Sequence, residues 1–224
     1  ACHDQDGRIQ VPGFYDDVLP ARPAVLEQIK ASEAVLLPEY QRKSGVKAFW
    51  GVPEYEVLER ATSQPTLDVN GVYGGYQGEG GMTIIPASAG FKVSMRLVAD
   101  QDPDDIARKF EEFVRSFDCP TLDIQVQMKP GSWAAELLHE GSEVEVLQRA
   151  YRATWDREAL FYREGGSVPV LGMFHRELGM PMMQLAFGVG DNGHAPNEYL
   201  QMEFFPRGID LAIHFYHYLG ELNK

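Results

Sequence analysis

At 224 residues the chain is long enough for one large domain or two smaller ones built on a real hydrophobic core. Apolar residues make up 44% and charged residues 24%, and the formal net charge of −13 comes with no basic stripe, which disfavours nucleic acid as a partner. No apolar run reaches the ~18 residues of a membrane span. The start, "ACHDQDGRI", lacks the basic and apolar regions of a signal peptide. The expectation is a cytoplasmic protein in which Cys2 and Cys119 are reduced, since two distant cysteines make no metal-like spacing.

To about Ala61 the chain is punctuated by "VPGF", "LPARP", "LPEY" and "GVPE", which predicts short helices and many loops. "PAVLEQIKASEAVL" is the best helical candidate there, with Pro23 at the first helical position. "FKVSMRLVA" alternates, placing Phe91, Val93, Met95 and Leu97 on one face and Lys92, Ser94 and Arg96 on the other, as a half-buried strand does. "DPDDIARKFEEFVRSF" opens on Asp102 as a cap and Pro103 just inside, with acids in the first turn and Ile106, Phe110, Phe113 and Phe117 at helical spacing. "LDIQVQM" alternates again and predicts a strand with Leu122, Ile124, Val126 and Met128 facing in. Strand, helix, strand over an open sheet is an α+β unit.

The texture changes near Gly131. "SEVEVLQRAYRATW" predicts a helix, "LFYREGGSVPV" a strand running into a glycine turn, and "VLGMFHREL" a short helix. "PMMQLAFG" predicts a strand buried on both faces, and "RGIDLAIHFYHYLGEL" a well-covered last helix. Pro206 either marks that helix's start or kinks it. Alternating strand and helix gives an α/β region. There is no internal repeat and no low-complexity segment.

Chemistry concentrates in a few places. His194, in "GVGDNGHAPNE", follows a predicted strand, where α/β sheets gather ligands; the competing reading is a surface loop histidine. In "REGGSVP", Gly165 and Gly166 let the backbone approach a ligand and Ser167 offers a hydroxyl, or the segment is a tight turn; it lacks the flanking glycines of a nucleophile elbow. "GGYQGEGGMTIIP", residues 74–86, matches neither the P-loop nor the dinucleotide fingerprint. Thr83 and Arg96 supply a hydroxyl and a bidentate cation suited to a carboxylate, although Arg96 equally reads as a solvent-facing strand residue. "HDQD", His3 to Asp6, looks like a ligand cluster but sits in a turn at the terminus, and reads as a decoy. His139, His175, His214 and His217 lie in helical or linker contexts with no carboxylate constellation, and read as packed or solvated.

"HDQDGRIQVPGFYDDV", "PTLDVNGVYGGYQGEGGMTIIPASA", "KVSMRLVADQDPDD", "REGGSVPV" and "GDNGHAPNE", in this order, resemble the M20 family of metallopeptidases, in its branch of cytosolic dipeptidases and carnosinase-like enzymes. The resemblance implies an α/β catalytic domain with two zinc ions and a smaller α+β lid domain that mediates dimerisation. On it, residues 1–131 are an α+β dimerisation (lid) domain, incomplete at its N-terminus, and 132–224 are the C-terminal part of the α/β zinc-peptidase catalytic domain. His194 then inherits the role of a zinc ligand. Ser167, Thr83 and Arg96 inherit contacts to the substrate, with Thr83 reaching across a homodimer, and Asn70 in "VNG" is a weaker candidate for a similar contact.

The implied activity is hydrolysis of the amide bond of dipeptides or related acyl-amino acids, with a metal-polarised carbonyl and a glutamate base. In the family the other metal ligands, the glutamate base and a lid histidine come from motifs upstream of those seen here. No catalytic residue is therefore assigned in this sequence, and one imidazole cannot define a zinc site that needs three or four protein ligands. The chain is expected to be the C-terminal half of such an enzyme, inactive alone, with the N-terminal half as its missing partner. The alternative is a non-catalytic dimerisation or binding module.

Overall fold

A computed structural model describes residues 1–165 and 168–222 of the chain. It divides into two compact units, one of Ala1–Ala135 with Tyr162–Met173, the other of Glu136–Phe161 with Phe174–Lys224. The architecture is α+β, helices with small antiparallel sheets. No helix among the described residues is long and apolar enough to cross a membrane.

The first unit contains helix α1 (Pro23–Ser44), helix α2 (Val57–Ser63), strands β1 (Thr66–Gly74) and β2 (Ala89–Arg96) and helix α3 (Pro103–Arg115). Pro23 opens α1 as expected, but the helix runs on through Pro38 for 22 residues, so the prediction of short helices fails here. Proline removes one backbone hydrogen bond and crowds the preceding turn. The last turn compensates: Glu39 pairs with Lys43 at 3.1 Å, Ser44 Oγ donates to Tyr40 O at 2.7 Å, and Arg42 and Lys43 face the negative end of the helix dipole. Gly45 closes the helix at φ +67°, a left-handed cap that favours glycine. Val25 and Ile29 of α1 and Leu58 of α2 form a small core, and Glu33 Oε1 accepts from Leu58 N at 2.8 Å, capping α2.

β1 and β2 pair antiparallel from Thr66↔Arg96 to Gly74↔Ala89, with a bulge between Val69 and Gly71 that leaves Asn70 unopposed. The alternation read from the sequence holds: Val93, Met95 and Leu97 pack against the core, whereas Phe91 joins Lys92, Ser94 and Arg96 as exposed. α3 begins as its residues predict, with Asp102 Oδ1 accepting from Asp104 N at 2.9 Å. Its Ile106 and Phe110 meet Leu67 of β1 and Ile9, Val11 and Phe14 of the N-terminal segment, the larger core of this unit. Lys109 anchors the same segment by donating to Gly13 O at 2.8 Å. The hydrogen bonds from Lys109 and Arg108 hold the Asp105 carboxyl below its ordinary range.

Gln101 is fully buried and does two jobs there. Its Nε2 donates to Phe14 O at 2.7 Å and its Oε1 accepts from Val98 N at 3.0 Å. Gln101→Leu keeps the volume but orphans a buried carbonyl and a partly buried amide, so a loss of about 2–4 kcal/mol is expected, read as faster amide exchange within α3. Exchange unchanged within error would show that water takes over both bonds.

The second unit contains helix α4 (Ser142–Trp155), strands β3 (Gly190–Asp191) and β4 (Tyr199–Leu200) and helix α6 (Phe204–Leu222); helix α5 (Pro169–Leu178) spans the chain position where the units divide. α4 has the predicted bounds, and buries Val144, Val146, Leu147 and Ala150. α6 packs against it, with Arg149 bonded to Glu221 at 2.9 Å and lying over the Tyr218 ring at 4.2 Å. Pro206 falls in the first turn of α6, so it marks the helix's start and imposes no kink.

Several predictions need correction. α6 is not well covered: only Gly208 and Leu211 are buried, and Phe205, Ile209, Ile213 and Tyr216 stand exposed beside Phe187. "LDIQVQM" and "PMMQLAFG" form no strand, although Ile124 and Val126, and Met183, Leu185 and Phe187, keep alternate half-burial. Alternation fixes faces, whereas a strand also needs a repeating ladder to a second backbone; among the described residues neither segment joins a sheet, and Leu138 N donating to Met182 O at 2.8 Å is a single bond. "LFYRE" likewise joins no ladder among the described residues; the short helix after it is α5. His3 bridges Ile9, and Asp4 Oδ1 accepts from Asp6 N and Arg8 N at 3.0 and 2.9 Å, so "HDQD" builds its own turn.

Candidate functional site

The two-residue strands β3 and β4 pair Gly190 with Leu200 and Asp191 with Tyr199, and Gln201 N donating to Val189 O at 2.7 Å extends the pairing. The hairpin presents residues 192–198 as an exposed loop. Within it, Ala195 N donates to Asn192 O at 2.9 Å, Asn192 Nδ2 to Asn197 O at 3.3 Å, and His194 N to Glu198 Oε2 at 3.3 Å.

The backbone here is unusual. Of the four non-glycine residues with positive φ among the described residues, three lie in this loop: Asn192 (+60°), His194 (+61°) and Asn197 (+63°). Asparagine tolerates the left-handed region and histidine visits it more rarely, at a cost of about 1 kcal/mol or more. The Glu198 carboxylate of the same loop accepts from the amide of this strained residue, and the His194 ring stands exposed with no partner for either nitrogen among the described residues. Glu198, whose carboxylate accepts from the His194 amide, is the contact that the sequence reading passed over; its signal is the acid four residues after the histidine.

The other candidates sit elsewhere. Asn70 occupies the β1 bulge, and Arg96 ends β2 opposite Thr66, both exposed. They share one strand pair but stand about 13 Å apart along it, at ~3.3 Å per residue. Arg96 has no ion pair or hydrogen-bond acceptor among the described residues, and Asp68 on the neighbouring strand receives the Thr66 hydroxyl at 2.8 Å. Thr83 lies in the exposed loop joining Gly74 to Ala89, at the end of the hairpin away from Arg96. That loop leads into a strand, not the helix N-terminus that a phosphate cradle requires. Ser167 lies outside the described residues.

Among the remaining histidines, His217 has a carboxylate neighbour that the sequence reading did not foresee, Glu221 at 3.6 Å, and His214 stacks on Tyr218. No group of three His, Cys, Asp or Glu side chains gathers among the described residues. A dinuclear metal centre therefore does not fit the residues present: His194 supplies one imidazole, and the nearest loop carboxylate, Glu198, is engaged by the His194 amide.

Comparison with known proteins places the chain. The family model of the M20 peptidase dimerisation domain matches residues 20–118. The Cys-Gly metallodipeptidase DUG1 of Candida albicans is 29% identical over 97% of this chain and 46% of its own length. The human Beta-Ala-His dipeptidase is 25% identical, over 98% of this chain and 44% of its own length. In fold, the chain is similar to the M20 family metallo-carboxypeptidase Sso-CP2 of Sulfolobus solfataricus, at TM-score 0.78 and 24% identity, covering 96% of this chain and 49% of that one. Residues 20–118 thus match the model of the M20 peptidase dimerisation domain, and nearly the whole chain is similar to about half the length of a metallodipeptidase. The chain spans about half the length of the curated relatives it matches.

Proposed function

We propose that these residues form the C-terminal portion of a cytoplasmic, dinuclear-zinc M20-type dipeptidase that hydrolyses the peptide bond of dipeptides or related acyl-amino acids. Similarity running along 97% of the chain to a metallodipeptidase is the observation that carries this reading. Residues 1–131 act as the lid and homodimerisation domain, and 132–224 complete the catalytic domain. The relatives' names suggest Cys-Gly and β-alanyl-histidine as the first substrates to try.

The roles follow from what each side chain offers. His194 presents an exposed imidazole as a zinc ligand, its backbone held by a strained turn and the Glu198 bond. Arg96, exposed and without an ion pair among the described residues, binds the substrate carboxylate through its guanidinium fork. Thr83, at the opposite end of the hairpin, contacts the substrate of the other protomer, while Asn70 and Ser167 add hydrogen bonds. Because no three metal-binding side chains gather among the described residues, these 224 residues alone do not hydrolyse peptides on this reading.

The test is an assay of a polypeptide that adds the upstream half to these residues. It should release amino acids from Cys-Gly or β-alanyl-histidine, and a chelator should stop it. Arg96→Ala should raise KM about 10- to 100-fold, the worth of a charged hydrogen-bonded contact. No hydrolysis of either dipeptide would leave the dimerisation module as the better account.

A further inference from the structure

The chain contains two Asn-Gly pairs, Asn70-Gly71 and Asn192-Gly193. At such a pair the following amide nitrogen comes near the asparagine side chain without a Cβ in the way. The two pairs sit in different surroundings. Gly71 stands in the β1–β2 ladder opposite Lys92, immediately after the bulge. Gly193 lies on the exposed loop; its amide nitrogen donates to no acceptor among the described residues, and a Cβ built there would meet nothing nearer than Glu198 Oε1 at 4.0 Å. Asn192 itself is exposed, and its side chain is restrained by one long bond, 3.3 Å to Asn197 O.

We propose that Asn192 is a site of spontaneous covalent modification, deamidation through its bond to Gly193. The Gly193 nitrogen gives its proton to a base in solution and bonds to Asn192 Cγ. The Cγ–Nδ2 bond breaks, and the amide nitrogen leaves as ammonia, which closes a five-membered imide. Solvent water then opens the ring. Attack at the side-chain carbonyl yields aspartate; attack at the backbone carbonyl yields isoaspartate, with the main chain rerouted through the side chain. Water enters, ammonia departs, and nothing is oxidised or reduced.

Both products add a carboxylate to a loop already flanked by Asp191 and Glu198. Isoaspartate also inserts a methylene into the turn closed by Ala195 N and Asn192 O, and so shifts His194, which lies within that turn. The effect on hydrolysis rests on the function proposed above, whereas the modification itself does not.

The purified chain is held in mildly alkaline buffer at body temperature and digested at intervals. The peptides containing Asn192 and Asn70 are then followed by mass and by the splitting of their chromatographic peaks. Because Gly71 must first leave its ladder, Asn192 should convert at least about tenfold faster than Asn70. In denaturant the two rates should converge, and Gly193→Ala should slow the first. An intact Asn192, or equal native rates at the two pairs, overturns the proposal.

Discussion

Replacing His194 by alanine, in the polypeptide that carries the upstream half, should lower kcat/KM by at least 100-fold, since even the loss of an outer partner of a metal ligand costs roughly 10- to 100-fold. Bound zinc should fall in parallel. The substitution is well suited to separating function from folding, because the ring is exposed and touches no partner among the described residues. Alanine also keeps a Cβ at φ +61°, so the backbone strain is similar before and after. Stability should stay within about 0.5 kcal/mol, as for most surface changes. Full activity with unchanged zinc would return His194 to the class of surface loop histidines. Glu198→Gln gives a graded companion: its amide oxygen still accepts from the His194 amide, so activity should fall far less than in the alanine variant.

Phe14→Ala should bring the largest loss of stability, about 3–5 kcal/mol, from the removed ring and the cavity it leaves. Phe14 is 1% exposed, and lies in the cluster of Ile9, Val11, Leu67, Ile106 and Phe110. It also meets the Tyr15 ring edge-on at 5.6 Å, and its carbonyl receives the Gln101 side chain. One residue thus joins the N-terminal segment to β1 and α3. A domain's net stability is only about 5–15 kcal/mol, so this unit would be left near its limit. Two units make a single unfolding transition an unsafe readout. Amide exchange within α3 is the better probe, and it should accelerate strongly. Phe117→Ala is the control, because Phe117 is 52% exposed and should change little. Equal effects of the two substitutions would contradict the core assigned here.

The sequence made α3, α4 and β2 legible because each carries its own evidence: a cap, a helical stripe or an alternation over several residues. What it could not supply was partners. The segments around Ile124 and Leu185 alternate as strands do, yet a ladder depends on a second backbone that no local pattern encodes. Pro38 was misread for a related reason, since the ion pairs and Gly45 cap that carry α1 past it lie one turn further on. At the site, the richness of "GDNGHAPNE" in glycine, asparagine and aspartate pointed to the loop and to His194. The strained backbone and the Glu198 bond that fix His194 were hidden, because β3 and β4 are too short to show any period. Arg96 was legible as a polar strand residue, but that it meets no counter-ion among the described residues emerges only from the fold.

The central claim is that these residues bring one ligand to a zinc centre completed from elsewhere in the polypeptide. Zinc content, measured with intact mass on the same samples, tests it most directly. The 224-residue chain alone should hold no stoichiometric zinc, and the polypeptide with the upstream half should hold about two ions per chain, as a two-metal site requires. Two tightly held ions on the 224 residues alone, or none on the longer polypeptide, would contradict the account.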